Sequence, residues 1–193
     1  MTAAAVVTHR VTSYETWKKA FDDHEPARRA GGIVGHHINR GIDDPNLVSV
    51  YLAARSSAEL QAFLGNADLK ATMARAGIEG APTIVMLDPQ EDQTLKRDPL
   101  AGMIVTHDVA DYAAWKQVYD QVATLRQQAG IIGAAVNRVA GSPNRVVVFH
   151  QAESPDALRA FASSPDVKAA MQRAGVTGAP SFAFVTGAGW ASY

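Results

Sequence analysis

The sequence predicts an α+β fold: two ferredoxin-like βαββαβ units in one chain, arranged as an internal pseudo-dimer. Three observations lead there. The stretch Thr8-His9-Arg10-Val11-Thr12-Ser13-Tyr14-Glu15-Thr16-Trp17-Lys18 returns as Thr106-His107-Asp108-Val109-Ala110-Asp111-Tyr112-Ala113-Ala114-Trp115-Lys116. The shift (106 − 8 = 98) aligns the rest of both copies without a gap, with about 32 of 80 positions identical, so the chain is an internal duplication. Within each copy, strand-like and helix-like stretches follow in the order βαββαβ, which gives a four-stranded antiparallel sheet with helices on one face. Finally, the strands carry large apolar residues at both parities: Val48, Val50 and Leu52 alternate with Leu47 and Tyr51. Both faces of each sheet are therefore expected to be covered.

Residues 1–87 form the first predicted unit, 88–100 a linker, and 101–193 the second unit with a C-terminal tail. Ala4 to Val11 reads as a strand that ends at Ser13, an N-cap replaced by Asp111 in the second copy. In the helix that follows, Tyr14, Trp17, Phe21, His24 and Arg28 recur at three- and four-residue steps and share a face. Pro26 cannot sit inside that helix without cost, so a break near Asp22 is expected before Gly31 and Gly32 end it.

Ile33 to Arg40 and Leu47 to Ala53 are predicted to form a hairpin across a turn-rich connection. Ser56-Ser57-Ala58-Glu59 is a capping box that opens a second helix. A shorter helix runs from near Asn66 to Gly77, and Thr83 to Leu87 closes the unit. The second copy repeats each of these elements. Asp88 to Leu100 is polar, carries two prolines and reads as a connector. The tail's Trp190 and Tyr193 are expected to dock on the protein.

A formal net charge of −1 gives no general electrostatic reason to bind nucleic acid or an acidic membrane. The chain has no cysteine, which removes disulfides, thiolate metal sites and thiol catalysis together. No apolar stretch is long enough to span a bilayer and the start lacks a basic segment before an apolar run, so a cytoplasmic protein is expected.

The βαββαβ order, Tyr14 and Trp17 on the first helix, Asn39-Arg40 at the end of the second strand, and Gly80-Ala81-Pro82 before the last strand carry a resemblance. With these features the chain resembles the dimeric α+β-barrel superfamily, with both halves of the usual dimer fused as an intramolecular barrel. Within the superfamily it looks most like the antibiotic biosynthesis monooxygenase-like proteins. That resemblance implies a pocket between sheet and helices in which small aromatic or polyketide-like substrates are oxidised without metal or flavin. It also implies Trp17 as a pocket wall and Asn39 as a group that orients substrate or oxygen. No cofactor is expected, and the partner is a small-molecule ligand, with homo-oligomers beyond the internal pair left open.

The histidines depart most from the repeat. His9 and His107 match, whereas His24, His36 and His37 face Val122, Ala134 and Ala135, and His150 faces Leu52. Polar groups confined to one copy suggest that one pocket has become specialised. His24 lies on the inner helix stripe, and His36 shares strand parity with Val34 and Ile38, so the two could meet between helix and sheet. The expected site is therefore His24 or His36 as base, because imidazole titrates near neutrality. His9, Tyr14, Trp17 and Asn39 would contact the substrate. The plain alternative is that these are core or rim histidines satisfied by their neighbours. No H-x-H or H-E-x-x-H spacing supports a metal site. The competing function is a non-catalytic binding or stress-related barrel protein with filled pockets.

Overall fold

The computed structural model describes residues 3–193, and the N-terminal residues 1–2 lie outside that description. The first copy runs β1 (Ala3–Val11), α1 (Tyr14–Asp23), α2 (Glu25–Ala30), β2 (Ile33–Gly41), β3 (Leu47–Ala54), α3 (Ser57–Gly65), α4 (Ala67–Arg75) and β4 (Ile78–Asp92). The second runs β5 (Ala101–Val109), α5 (Tyr112–Gln121), α6 (Ala123–Gln128), β6 (Ile131–Val139), β7 (Ser142–Ala152), α7 (Pro155–Ser163), α8 (Pro165–Arg173) and β8 (Val176–Ser192). The fold is α+β, with the predicted element order in both copies. No helix among the described residues is long and apolar enough to cross a membrane.

The chain divides into two compact units: residues up to Asp88 together with Gly187–Tyr193, and Pro89–Thr186. In the first unit β1 is central, antiparallel to β3 on one side and β4 on the other, and β2 adds outside β3. The second unit repeats this with β5 between β7 and β8, and β6 outside β7. The β1–β4 register slips between Thr8 and Arg10, so Gly80-Ala81-Pro82 bulges opposite His9, and the β5–β8 register slips at the same place. Gly80 and Gly178 both take φ of +72°, the left-handed conformation that such an irregularity favours in glycine.

Local chemistry explains the helices. Ser13 and Asp111 accept from the backbone N–H three residues on, and Ser56 does the same for α3. The expected break falls at His24, which ends α1 and precedes α2, with Pro26 in the tolerated first turn. The equivalent break at Val122 has Thr124 in place of the proline, so packing imposes it and Pro26 reinforces it. Trp17, Leu60 and Phe63 seat the helices on Ile38, Val48, Val50 and Leu52 of the sheet.

Two expectations change. The connector placed at 88–100 begins as strand: β4 continues to Asp92, and Gln93 N–H donates to the Ala134 carbonyl. Polar side chains hid this, because a strand needs paired backbone groups and no apolar run. In the tail, Tyr193 docks as expected, its N–H donating to the Val34 carbonyl, whereas Trp190 stays 42% exposed. Gly35 makes room for that strap: a Cβ there would stand 2.8 Å from the Ala191 carbonyl oxygen.

Candidate functional site

Between sheet and helices the first unit encloses a cavity of about 430 Å³. Its wall is mostly apolar, from Val7, Val50 and Leu52 on the strands and Ala20, Phe21, Leu64 and Leu69 on the helices. His9, His24, Arg28, Lys70 and Thr72 supply polar groups, and Trp17 and Phe63 the larger rings. A space of this size with a few converging polar groups is what a small-molecule site requires.

The corresponding hollow in the second unit holds only about 60 Å³. The reason lies in paired positions. Val118 stands where the first copy has Ala20, Leu125 for Ala27, Met103 for Ala5 and Phe182 for Ile84, and all four larger side chains line the smaller hollow. A separate shallow groove of about 250 Å³ against Ala129, Ala157 and Ser164 carries no titratable group.

Three of the six expected site residues line the first cavity. His9 is 7% exposed and packs its ring on Trp17 at 5.5 Å, and neither ring nitrogen has a hydrogen-bond partner. Burial holds its pKa down at about 4, so it is neutral at neutral pH. Trp17 stacks on Phe21 at 5.1 Å and forms wall as much as anchor. His24 lies 3.2 Å from Asp68 through Nε2, and the two side chains are 11% and 69% exposed. The carboxylate orients the imidazole, leaving Nδ1 as the other face.

The other three are engaged elsewhere. His36 faces the helices as its parity predicts, but Phe21 packs edge-on against it at 4.9 Å, and its Nδ1 lies 2.7 Å from the Tyr193 hydroxyl. His36 and His24 therefore do not form the expected pair, and His36 is absent from the cavity wall. Burial first, then the Arg28 guanidinium and Lys18, lower its pKa to about 4. Tyr14 packs tilted against Trp17 at 5.7 Å, lies under Arg40 at 3.8 Å, and its hydroxyl reaches the Ala188 carbonyl at 3.4 Å. Asn39 pairs in register with Ser49, on the sheet face opposite Ile38 and Val50, so it points away from the cavity. It is 5% exposed, and its Oδ1 has no partner.

Arg28 went unassigned in the sequence, and the structure makes it prominent. It is 2% exposed, donates from Nε and Nη2 to the Tyr193 hydroxyl at 3.1 Å, donates from Nη1 to the Phe21 carbonyl, and stacks on the Phe21 ring. With Arg28 donating to it twice, the Tyr193 oxygen gives its own proton to His36 Nδ1. That assigns the Nε2–H tautomer to a neutral His36. The signal was present: an arginine on the buried stripe of both copies. Among the described residues no group of three His, Asp or Glu side chains is placed to hold a metal ion.

A sequence model described as antibiotic biosynthesis monooxygenase matches residues 110–173, within the second copy. Solved structures share the fold over the whole chain. A "crystal structure study of anthrone oxidase-like protein" superposes with a TM-score of 0.72 at 15% identity, covering 99% of this chain and 93% of that one. A candidate monooxygenase from Lactobacillus acidophilus NCFM gives 0.67 at 11% identity, covering 99% and 96%. A chlorite dismutase variant from Candidatus Nitrospira defluvii gives 0.62 at 10%, covering 97% and 92%. No curated protein matches the chain.

Proposed function

We propose that this antibiotic biosynthesis monooxygenase-like tandem protein binds a small planar aromatic or polyketide-like molecule in its first unit and oxidises it without a metal or organic cofactor. The observation that carries the reading is the contrast between the two copies. The first keeps an apolar cavity of about 430 Å³ with two histidines and an arginine on its wall, and the second closes the same hollow to about 60 Å³.

His24 is the proposed base. It sits on the cavity wall and Asp68 orients it, whereas His9 and His36, each held at about 4, are weak bases. Proton removal from a phenol or from a methylene between aromatic rings gives an electron-rich anion, which reacts with dioxygen. For a methylene, one oxygen atom becomes the ketone oxygen and the other leaves as water with both hydrogens. His9 and Trp17 shape the space around the reacting ring. Asn39, Tyr14 and His36 would act only indirectly, through the sheet and the tail. The competing reading, a non-catalytic barrel with filled pockets, draws its support from the second unit alone.

Oxygen uptake with anthrone- and quinol-type substrates tests the proposal. Wild type should consume oxygen in step with product, and His24→Ala should lower kcat by about a hundredfold or more, as loss of a general base does. Uptake by His24→Ala equal to wild type would remove His24 as base, and ligand binding without uptake would leave a binding protein.

A further inference from the structure

The polar groups on the first unit's cavity are unbalanced in sign. Arg28, Lys70, His9, His24 and Thr72 line it, and no aspartate or glutamate does. Asp68 meets His24 from the solvent side, 69% exposed. Arg28 is the exceptional one, because a guanidinium that is 2% exposed normally carries a carboxylate partner. Here its acceptors are a phenol and a backbone carbonyl, both neutral, and no carboxylate pairs with it among the described residues. Of its five N–H groups three are occupied, leaving one on each terminal nitrogen.

The second copy serves as an internal comparison. Arg126 likewise donates to the carbonyl seven residues back, that of Tyr119, and stacks on the Tyr119 ring at 3.7 Å. Its hollow has no room for a ligand, and the position equivalent to Tyr193 is Leu95. Among the described residues, only in the first unit does a buried arginine held by a tyrosine line a cavity of this size.

The geometry points to an anionic aromatic ligand, an aryl carboxylate or acidic phenol, whose negative group pairs with Arg28 at the inner end of the cavity. Lys70, exposed at the rim, draws the same charge inward. This rests on the cavity's being a ligand site and adds which molecules it selects. Arg28 is its specificity-determining residue: a neutral ligand of the same shape would leave a buried charge unanswered, whereas an acid gains charge-assisted hydrogen bonds. Tyr193 and Phe21 hold the guanidinium in place, which spares the ligand the cost of ordering it.

Calorimetric titration with 2-naphthoate and its uncharged isostere 2-naphthamide tests this. Wild type should bind the acid about tenfold or more tightly than the amide, the usual gain from a hydrogen bond to a charged group. Arg28→Gln keeps amide donors for Phe21 and Tyr193 and should bring acid and amide within about twofold of each other. Arg28→Lys should keep the preference for the acid. If Arg28→Gln fails to fold, the acid-to-amide ratio of wild type and of Arg28→Lys still decides the matter. Equal affinities in wild type would overturn the charge assignment and leave the cavity as an aromatic site. An acid preference that survives in Arg28→Gln would overturn the role of Arg28. No binding of either ligand would overturn the cavity reading and this inference together.

Discussion

If the two hollows differ because of a few side-chain volumes, the first can be closed with residues borrowed from the second. Ala20→Val with Ile84→Phe copies Val118 and Phe182 into positions that line the open cavity. The double change adds five carbons to the wall. At about 0.8 kcal/mol per buried methylene the upper bound is roughly 4 kcal/mol. Ile84 is 42% exposed, so its share counts for about half, and some rotamer strain follows, leaving a gain of about 2 kcal/mol. For a chain of this length that raises the midpoint of thermal unfolding by roughly 4–8 °C. Circular dichroism melts give the stability, and titration with a planar aromatic gives the binding. The expected result is a higher midpoint with affinity lowered at least about tenfold, since the added carbons occupy the ligand's space. An unchanged or lower midpoint with undiminished binding would refute the argument that side-chain volume separates the copies.

Three further expectations follow from buried polar groups and from the tail. His9, His107 and His150 have folded-state pKa values of about 4, 4 and 3, all below the ordinary 6.5. The unfolded chain therefore takes up protons first as pH falls, so this stability is complete above about pH 6.5 and drains away toward pH 4. Replacing His150 by leucine, the residue at the matching position of the first copy, should cut the stability lost between pH 7.5 and 5 by about 2 kcal/mol, measured by urea unfolding at both values. Tyr193→Phe removes the acceptor of two Arg28 donors and the donor to His36, and should cost about 1–3 kcal/mol in the same experiment. Gly35→Val places a side chain against the Ala191 carbonyl, and should free the tail for cleavage after Trp190 under limited proteolysis that leaves wild type intact.

The duplication, the element order and the capped helix starts were legible because each is written in local residue types. Ser13, Ser56 and the paired glycines speak for the backbone around them and need no distant partner. The break at His24 was expected two residues early, since Pro26 signals it while packing sets its place. The site was legible only in part. Parity placed His36 correctly on the helix side, yet nothing local said that Tyr193, 157 residues away, would take its Nδ1. Asn39 was carried in by resemblance, whereas strand alternation already put it on the face opposite Ile38. The cavity was latent in the sequence as small-for-large exchanges between copies, such as Ala20 against Val118. Those volumes acquire meaning only once the side chains are known to converge.

In an assembly of two identical polypeptides every codon change is expressed twice, so a residue that suits one hollow is forced upon the other. A tandem gene lifts that constraint. The second copy has filled its hollow with Met103, Val118, Leu125 and Phe182, while the first keeps an open cavity with a buried arginine on its wall. Packing density and open space are thus free to change separately in the two halves of one reading frame.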